Sequence, residues 1–122
     1  RLLCLLLLGE GAPAQDERGR IAEAIRFMNQ HLFEPLGVQA VAEAVSLSPS
    51  HFSRQFKAHT GYSPYEYIVL RRIDKAKHLL TSTQLSVKEI AYNTGYNSEE
   101  NFIHSFQKNV GISPGLFRKY PI

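Results

Sequence analysis

The 122-residue chain has one cysteine (Cys4), one methionine (Met28), two aspartates (Asp16 and Asp74) and no tryptophan. A lone cysteine excludes a disulfide framework and a cysteine-based zinc site, and it fits a reducing compartment. Two aspartates far apart in sequence, with no H-E-x-x-H, G-x-S-x-G or P-loop pattern, leave little for catalysis to use. His51, His59, His78 and His104 lack zinc-ligand spacing and read as exposed helix residues. No cofactor, no metal and no enzymatic activity are therefore expected. Long apolar runs are absent too. The opening RLLCLLLL falls far short of the roughly 20 residues that span a membrane. With Arg1 before it and Ala12-Pro13-Ala14 after it, the run imitates a signal peptide. The competing reading makes Leu2–Leu8 the end of a buried helix from an upstream domain, since a chain that begins with Arg is expected to be a fragment. Gly9, Gly11 and Ala14 fit G-x-G-x-x-A, but no strand precedes them and no βαβ unit surrounds them, so the match reads as chance.

What is present is an ordinary globular composition, 43% hydrophobic and 20% charged, with a net charge of +3. That charge is unevenly placed. Residues 46–82 carry Arg54, Lys57, Arg71, Arg72, Lys75 and Lys77 against Glu66 and Asp74. A basic middle points weakly to a polyanionic partner, because solvated helices often look the same.

Residues 9–16 read as a connector. Ile21, Ile25, Met28 and Leu32 recur at helical spacing and predict a helix over 17–32, broken by Glu34-Pro35-Leu36-Gly37. A short helix over 38–45, with small apolar Ala40, Val41, Ala44 and Val45, precedes the turn Ser46-Leu47-Ser48. Ser48 and Pro49 open a helix with Phe52 and Phe56, which Gly61 ends. Ser63-Pro64-Tyr65-Glu66 reads as a capping box for the longest helix, to about Leu80, burying Val69, Ile73, Ala76 and Leu80. Arg71, Lys75 and His78 share another of its faces. Ser86-Val87-Lys88-Glu89 is a second capping box. Ser98 caps a helix with Phe102 and Phe106, Gly111 stops it, and Ser113-Pro114 begins a last short helix with Phe117. No strand signal appears. Seven helices are expected, with room for an eighth at Leu2–Leu8.

Two stretches repeat, HFSRQFKAHTGYSP from His51 and NFIHSFQKNVGISP from Asn101. Val41 and Ile90 are 49 positions apart, and Phe52 and Phe102 are 50 apart. Each copy is a helix, a short turn and a second helix, which is the helix-turn-helix arrangement. A phenylalanine pair at i and i+4 anchors the second helix in a core. Its other face stays polar or basic, fit for a major groove about 12 Å wide. Stacking of the phenylalanines on unpaired bases is the weaker alternative. Two heads on one chain can reach successive major grooves, about 34 Å apart, as a monomer.

Across residues 21–120, through VAEAVSLSPSHFSRQFKAHTGYSPYEYI, RRIDKAKHLL and VKEIAYNTGYNSEENFIHSFQKNVGISPGLFRKY, the chain resembles the C-terminal DNA-binding domain of AraC/XylS-type bacterial transcription regulators. The resemblance implies an all-α fold: a seven-helix bundle of two helix-turn-helix subdomains joined by a linker helix. The corresponding organisation is a tail of a missing upstream domain plus linker (1–16), a first subdomain (17–62), the linker helix (63–82) and a second subdomain (83–122). It also implies a cytoplasmic protein, with Leu2–Leu8 the tail of an upstream sensing and dimerisation domain rather than a signal peptide.

Carried over residue by residue, Ser50, His51, Ser53, Arg54 and Lys57 face outward on the first recognition helix. Arg54 occupies a position that commonly reads bases in the family; the other reading is a phosphate contact or an internal ion pair. Lys57 is expected on phosphate. Arg72 matches a basic position of the linker helix that more often braces the subdomains than touches DNA. The second head, drawn from Ser98, Glu99, Asn101, His104 and Lys108, departs from the family. Glu100, Asn101, His104 and Gln107 stand where the pattern favours a small polar residue, an aromatic, an Arg and a Lys. Glu99 and Glu100 admit three readings: stabilising the helix start, accepting from cytosine N4, or repelling phosphate.

The expected function is sequence-specific binding of double-stranded DNA. RNA polymerase is a further partner at a promoter, and no membrane is involved. The fragment is expected to be monomeric, with dimerisation of the full-length protein left to the upstream domain. The alternatives are a protein-interaction module built on a weakened DNA surface, against which the basic 46–82 segment argues, and a DNA-binding appendage of an upstream enzyme.

Overall fold

The computed structural model describes residues 12–121, with side chains from Glu17 onward; the expectations for Leu2–Leu8, Gly9 and Gly11 lie outside the described residues. Seven helices and no strand occur among them: α1 (Ala12–Gln30), α2 (Val38–Ala44), α3 (Pro49–Thr60), α4 (Pro64–Ser82), α5 (Val87–Asn93), α6 (Glu99–Val110) and α7 (Pro114–Lys119). The all-α expectation holds. Helix α1 corrects part of the connector reading, since it starts inside residues 9–16 and stops before Leu32. Pro13 does not prevent this, because the first turn of a helix has no partner for the amide hydrogen that proline lacks. At 19 residues, α1 also matches α4, which the sequence made the longest helix.

The chain divides into two compact units. The first contains the described residues through Gln30 together with Gly37–Pro64; the second contains His31–Leu36 and the chain from Tyr65 onward.

In the first unit α1 buries Ile21, Ala24 and Met28, spaced i, i+3, i+7 on one face. Helix α2 buries Val41 and Ala42, and Val45 follows. Ala40 and Ala44, expected among its apolar residues, are exposed. On a two-turn helix Val41, Ala42 and Val45 already fill the inward stripe. Phe52 and Phe56 are fully buried with ring centroids 5.5 Å apart. Burial of each such ring contributes about 1.5–3 kcal/mol.

The second unit repeats the plan with a larger core. Val69, Ile73, Ala76 and Leu80 of α4 meet Ile90, Ala91, Phe102, Phe106 and Phe117. Phe117 stands edge-on to Phe106, centroids 5.5 Å apart at 74°. The end of α4 is closed from a distance. Arg118 Nε donates to Leu80 O (3.0 Å), a carbonyl that the helix end leaves open, and its Nη2 to Leu85 O (2.6 Å) in the loop that follows.

Both turns use one device. Leu47 N donates to Ala42 O (2.9 Å) and Ser46 N to Glu43 O (3.0 Å); Tyr96 N donates to Ala91 O (3.1 Å) and Gly95 N to Tyr92 O (3.2 Å). This is a Schellman closure, which places the residue after the C-cap in the left-handed region. Those residues are Ser46 at φ 62° and Gly95 at φ 94°. The matching bonds locate the extra residue of the second copy between Tyr96 and Ser98, at Asn97.

Candidate nucleic-acid interface

Helix α3 begins where the sequence placed it. Ser48 Oγ accepts from His51 N (3.3 Å), and Pro49 occupies the first turn. Gly61 ends the helix at φ 85°, its N–H bonded to Lys57 O. With Phe52 and Phe56 fixed inward, Ser50, His51, Arg54 and Lys57 are exposed, and Ser53 is half-buried. Ser53, Arg54, Lys57, Ala58 and Ser63 line one shallow hollow. The five first-head residues thus lie on one helix, with two cations a turn apart. Gln55 turns the other way and donates from Nε2 to Glu17 Oε2 of α1 (2.9 Å), tying α3 to α1.

Helix α6 has the same frame. Ser98 Oγ accepts from Asn101 N (3.0 Å), and Gly111 at φ 99° ends the helix. Asn101, His104 and Lys108 are exposed; Ser98 and Glu99 are half-buried. Ser98 therefore serves the helix start first. Glu99 and Glu100 stand in the first turn, where carboxylates favour the positive end of the helix dipole. Ile103 takes the place that Ser53 has in α3, and it packs against the second core. The polar part of the outward face of α6 is therefore narrower than that of α3. Asn101 Nδ2 donates to Asn97 Oδ1 at 2.7 Å.

The resemblance made Arg72 a bracing residue, but its partners had no signal in the sequence. Arg72 Nε donates to Leu32 O and its Nη2 to Glu34 O, both at 2.8 Å, while Cζ sits 5.7 Å from the Tyr96 ring centroid. A Cβ on Gly95 would lie 2.9 Å from Arg72 Nε. Burial lowers the Arg72 pKa from its ordinary value, opposed by Tyr96 and Tyr65. Burial also raises the Tyr96 phenol, against its hydrogen bond to Ser105 (2.9 Å) and the Arg72 charge. Arg72 is thus an internal clasp of the second unit.

A family model described as a helix-turn-helix domain matches residues 41–120, covering both turns and helices α3 and α6. The chain belongs to the AraC-type family of transcription regulators. It is a regulator's domain and not an enzyme. It is 36% identical over 112 residues to the HTH-type transcriptional activator RhaS of Salmonella schwarzengrund (strain CVM19633), covering 92% of this chain and 40% of that protein. It therefore spans about 40% of the length of the curated relatives it matches. Among solved structures it resembles the C-terminal domain of AraT, a response regulator from Geobacillus stearothermophilus. The TM-score is 0.81 at 32% identity, over 84% of this chain and 86% of that one. It also resembles the DNA-binding domain of AdpA, solved in complex with a target DNA, with a TM-score of 0.78 at 29% identity over 82% of this chain and 90% of that one.

Proposed function

We propose that this AraC-type domain binds specific double-stranded DNA sequences, with α3 as the principal reading head and α6 as a second, more lightly docked one. The observation that carries the reading is the exposed face of α3, where Arg54 and Lys57 stand opposite the buried Phe52 and Phe56. An arginine on such a face reaches guanine O6 and N7 with two parallel bonds, and a lysine a turn away meets phosphate. Ser50, His51 and Ser53 complete the first head; Ser98, Glu99, Asn101, His104 and Lys108 form the second. Residues 17–62 and 83–122 then act as two subdomains joined by the helix over 63–82, reading successive major grooves. The family likeness supports this, as does the likeness to a domain solved on its target DNA.

No helix among the described residues is long and apolar enough to cross a membrane, in keeping with a cytoplasmic regulator. At a promoter a regulator carrying this domain would also meet RNA polymerase. The 122-residue chain itself is monomeric in this reading, which sedimentation at micromolar concentration checks.

Selection from random duplex DNA should enrich one motif. Affinity for it should fall with salt, with a log–log slope of about −0.9 for each phosphate neutralised. Enrichment of no motif, with affinity equal to that for bulk DNA, would sink the proposal. In that case the acidic start of α6 would favour the protein-interaction module.

A further inference from the structure

Asn97 is the one residue that the second turn has and the first lacks, and its side chain is used. Its Oδ1 accepts from Nδ2 of Asn101 at 2.7 Å, and both residues are exposed. Asn101 lies in the first turn of α6, its N–H held by Ser98 Oγ at 3.0 Å. The first turn of a recognition helix is the part that meets base edges.

A free asparagine amide can turn over and present either end. The bond to Asn97 limits that freedom by holding the amide plane. With Asn97 Oδ1 as acceptor it occupies one Nδ2 hydrogen and leaves Oδ1 and the second hydrogen for a partner. An acceptor and a donor on one planar amide match the N6 amino group and N7 of adenine in the major groove. Guanine presents two acceptors there and would leave Oδ1 facing an acceptor. His51, the counterpart of Asn101 in α3, cannot offer an acceptor and a donor side by side.

We infer that Asn101 is an adenine-reading residue of the second head and that Asn97 is the residue that positions it. The inference rests on the DNA-binding reading above. It also explains how a head poor in cations adds specificity: a neutral amide discriminates between bases without attracting phosphate.

The test is selection from random duplexes with the full 122-residue chain, followed by affinity measurement on the enriched duplex and its single-base variants. The expected motif has an adenine in the half-site distal to that lost by Arg54→Ala. Replacing that adenine should weaken binding about tenfold to hundredfold. Asn101→Ala should abolish the preference, and 7-deazaadenine at that position should weaken the unaltered protein but not Asn101→Ala. Asn97→Leu, with unchanged melting temperature, should reduce the adenine preference several-fold. Asn97→Asp retains an acceptor and should keep the preference, while weakening all sequences through its charge. A motif indifferent to Asn101→Ala, or a guanine at the position it controls, overturns this inference and leaves the DNA-binding reading standing. Failure to enrich any motif overturns both.

Discussion

Ser46 and Gly95 hold the same place in their turns, at φ 62° and 94°. Beside Gly95 lies the Arg72 guanidinium, clasped to the backbone of Leu32 and Glu34, so the second turn needs glycine for space as well as for conformation. No equivalent packing demand falls on Ser46, and the first turn tolerates a side chain at the cost of left-handed strain. The same contrast runs along α3 and α6. The inward positions agree, Phe52 with Phe102 and Phe56 with Phe106, all fully buried. The outward positions do not: Ser50 and Glu100, Ser53 and Ile103, Arg54 and His104, Lys57 and Gln107 are paired by the repeat. A duplicated fold thus constrains what must fit a core and leaves free what meets a partner.

The comparison can be broken most forcefully at the core. Phe56→Ala and Phe106→Ala should each destabilise by about 3–5 kcal/mol, since each empties a fully buried ring site. Chemical denaturation measures both; costs that differ by more than about 2 kcal/mol would show that the two copies are not equivalent scaffolds.

The turns come next. Gly95→Ala should cost about 2–4 kcal/mol, from left-handed strain and displacement of a hydrogen-bonded arginine. Ser46→Gly should be neutral or stabilising by up to about 1 kcal/mol, because relief of strain is offset by greater freedom of the unfolded chain. Equal and small effects at both sites would mean that the Arg72 clasp yields easily.

On the outward faces, Arg54→Ala should cost about 1–3 kcal/mol at one or two base pairs and relax specificity there. Lys57→Ala should weaken all sequences alike. Uniform loss from Arg54→Ala would make it a backbone contact.

The smallest effect belongs to the acids of α6. If they repel phosphate while favouring the helix start, Glu99→Gln with Glu100→Gln should strengthen binding to all DNA and leave the motif unchanged. Each replacement should lower stability by about 0.3–1 kcal/mol. Selective loss at cytosine-containing positions of the second half-site would instead make the glutamates base readers.

Much of this was legible in the residues. Helix ends are local chemistry: Ser48, Ser86, Ser98 and Ser113 cap, and Gly61 and Gly111 stop, wherever they stand. The Ser86–Glu89 box closes in both directions, Ser86 N to Glu89 Oε1 at 2.9 Å and Glu89 N to Ser86 Oγ at 3.0 Å. The phenylalanine spacing and the offset between copies carried the architecture, because burial of a helix stripe follows from its period. Even the added residue showed as a change of offset from 49 to 50.

Two local features went unread: the start of α1 within the apparent connector, since Pro13 breaks a helix interior but fits a first turn, and the bond between Asn97 and Asn101. What the sequence could not decide rests on contacts between distant residues. The clasp of Arg72 on Leu32 and Glu34 was one, with its demand for glycine at 95. The placement of Gln55 against Glu17 was another. Capping and periodicity act within a few residues and can be read along the chain. A guanidinium meeting a carbonyl forty positions away depends on where the fold brings them, and only the tertiary structure supplies that.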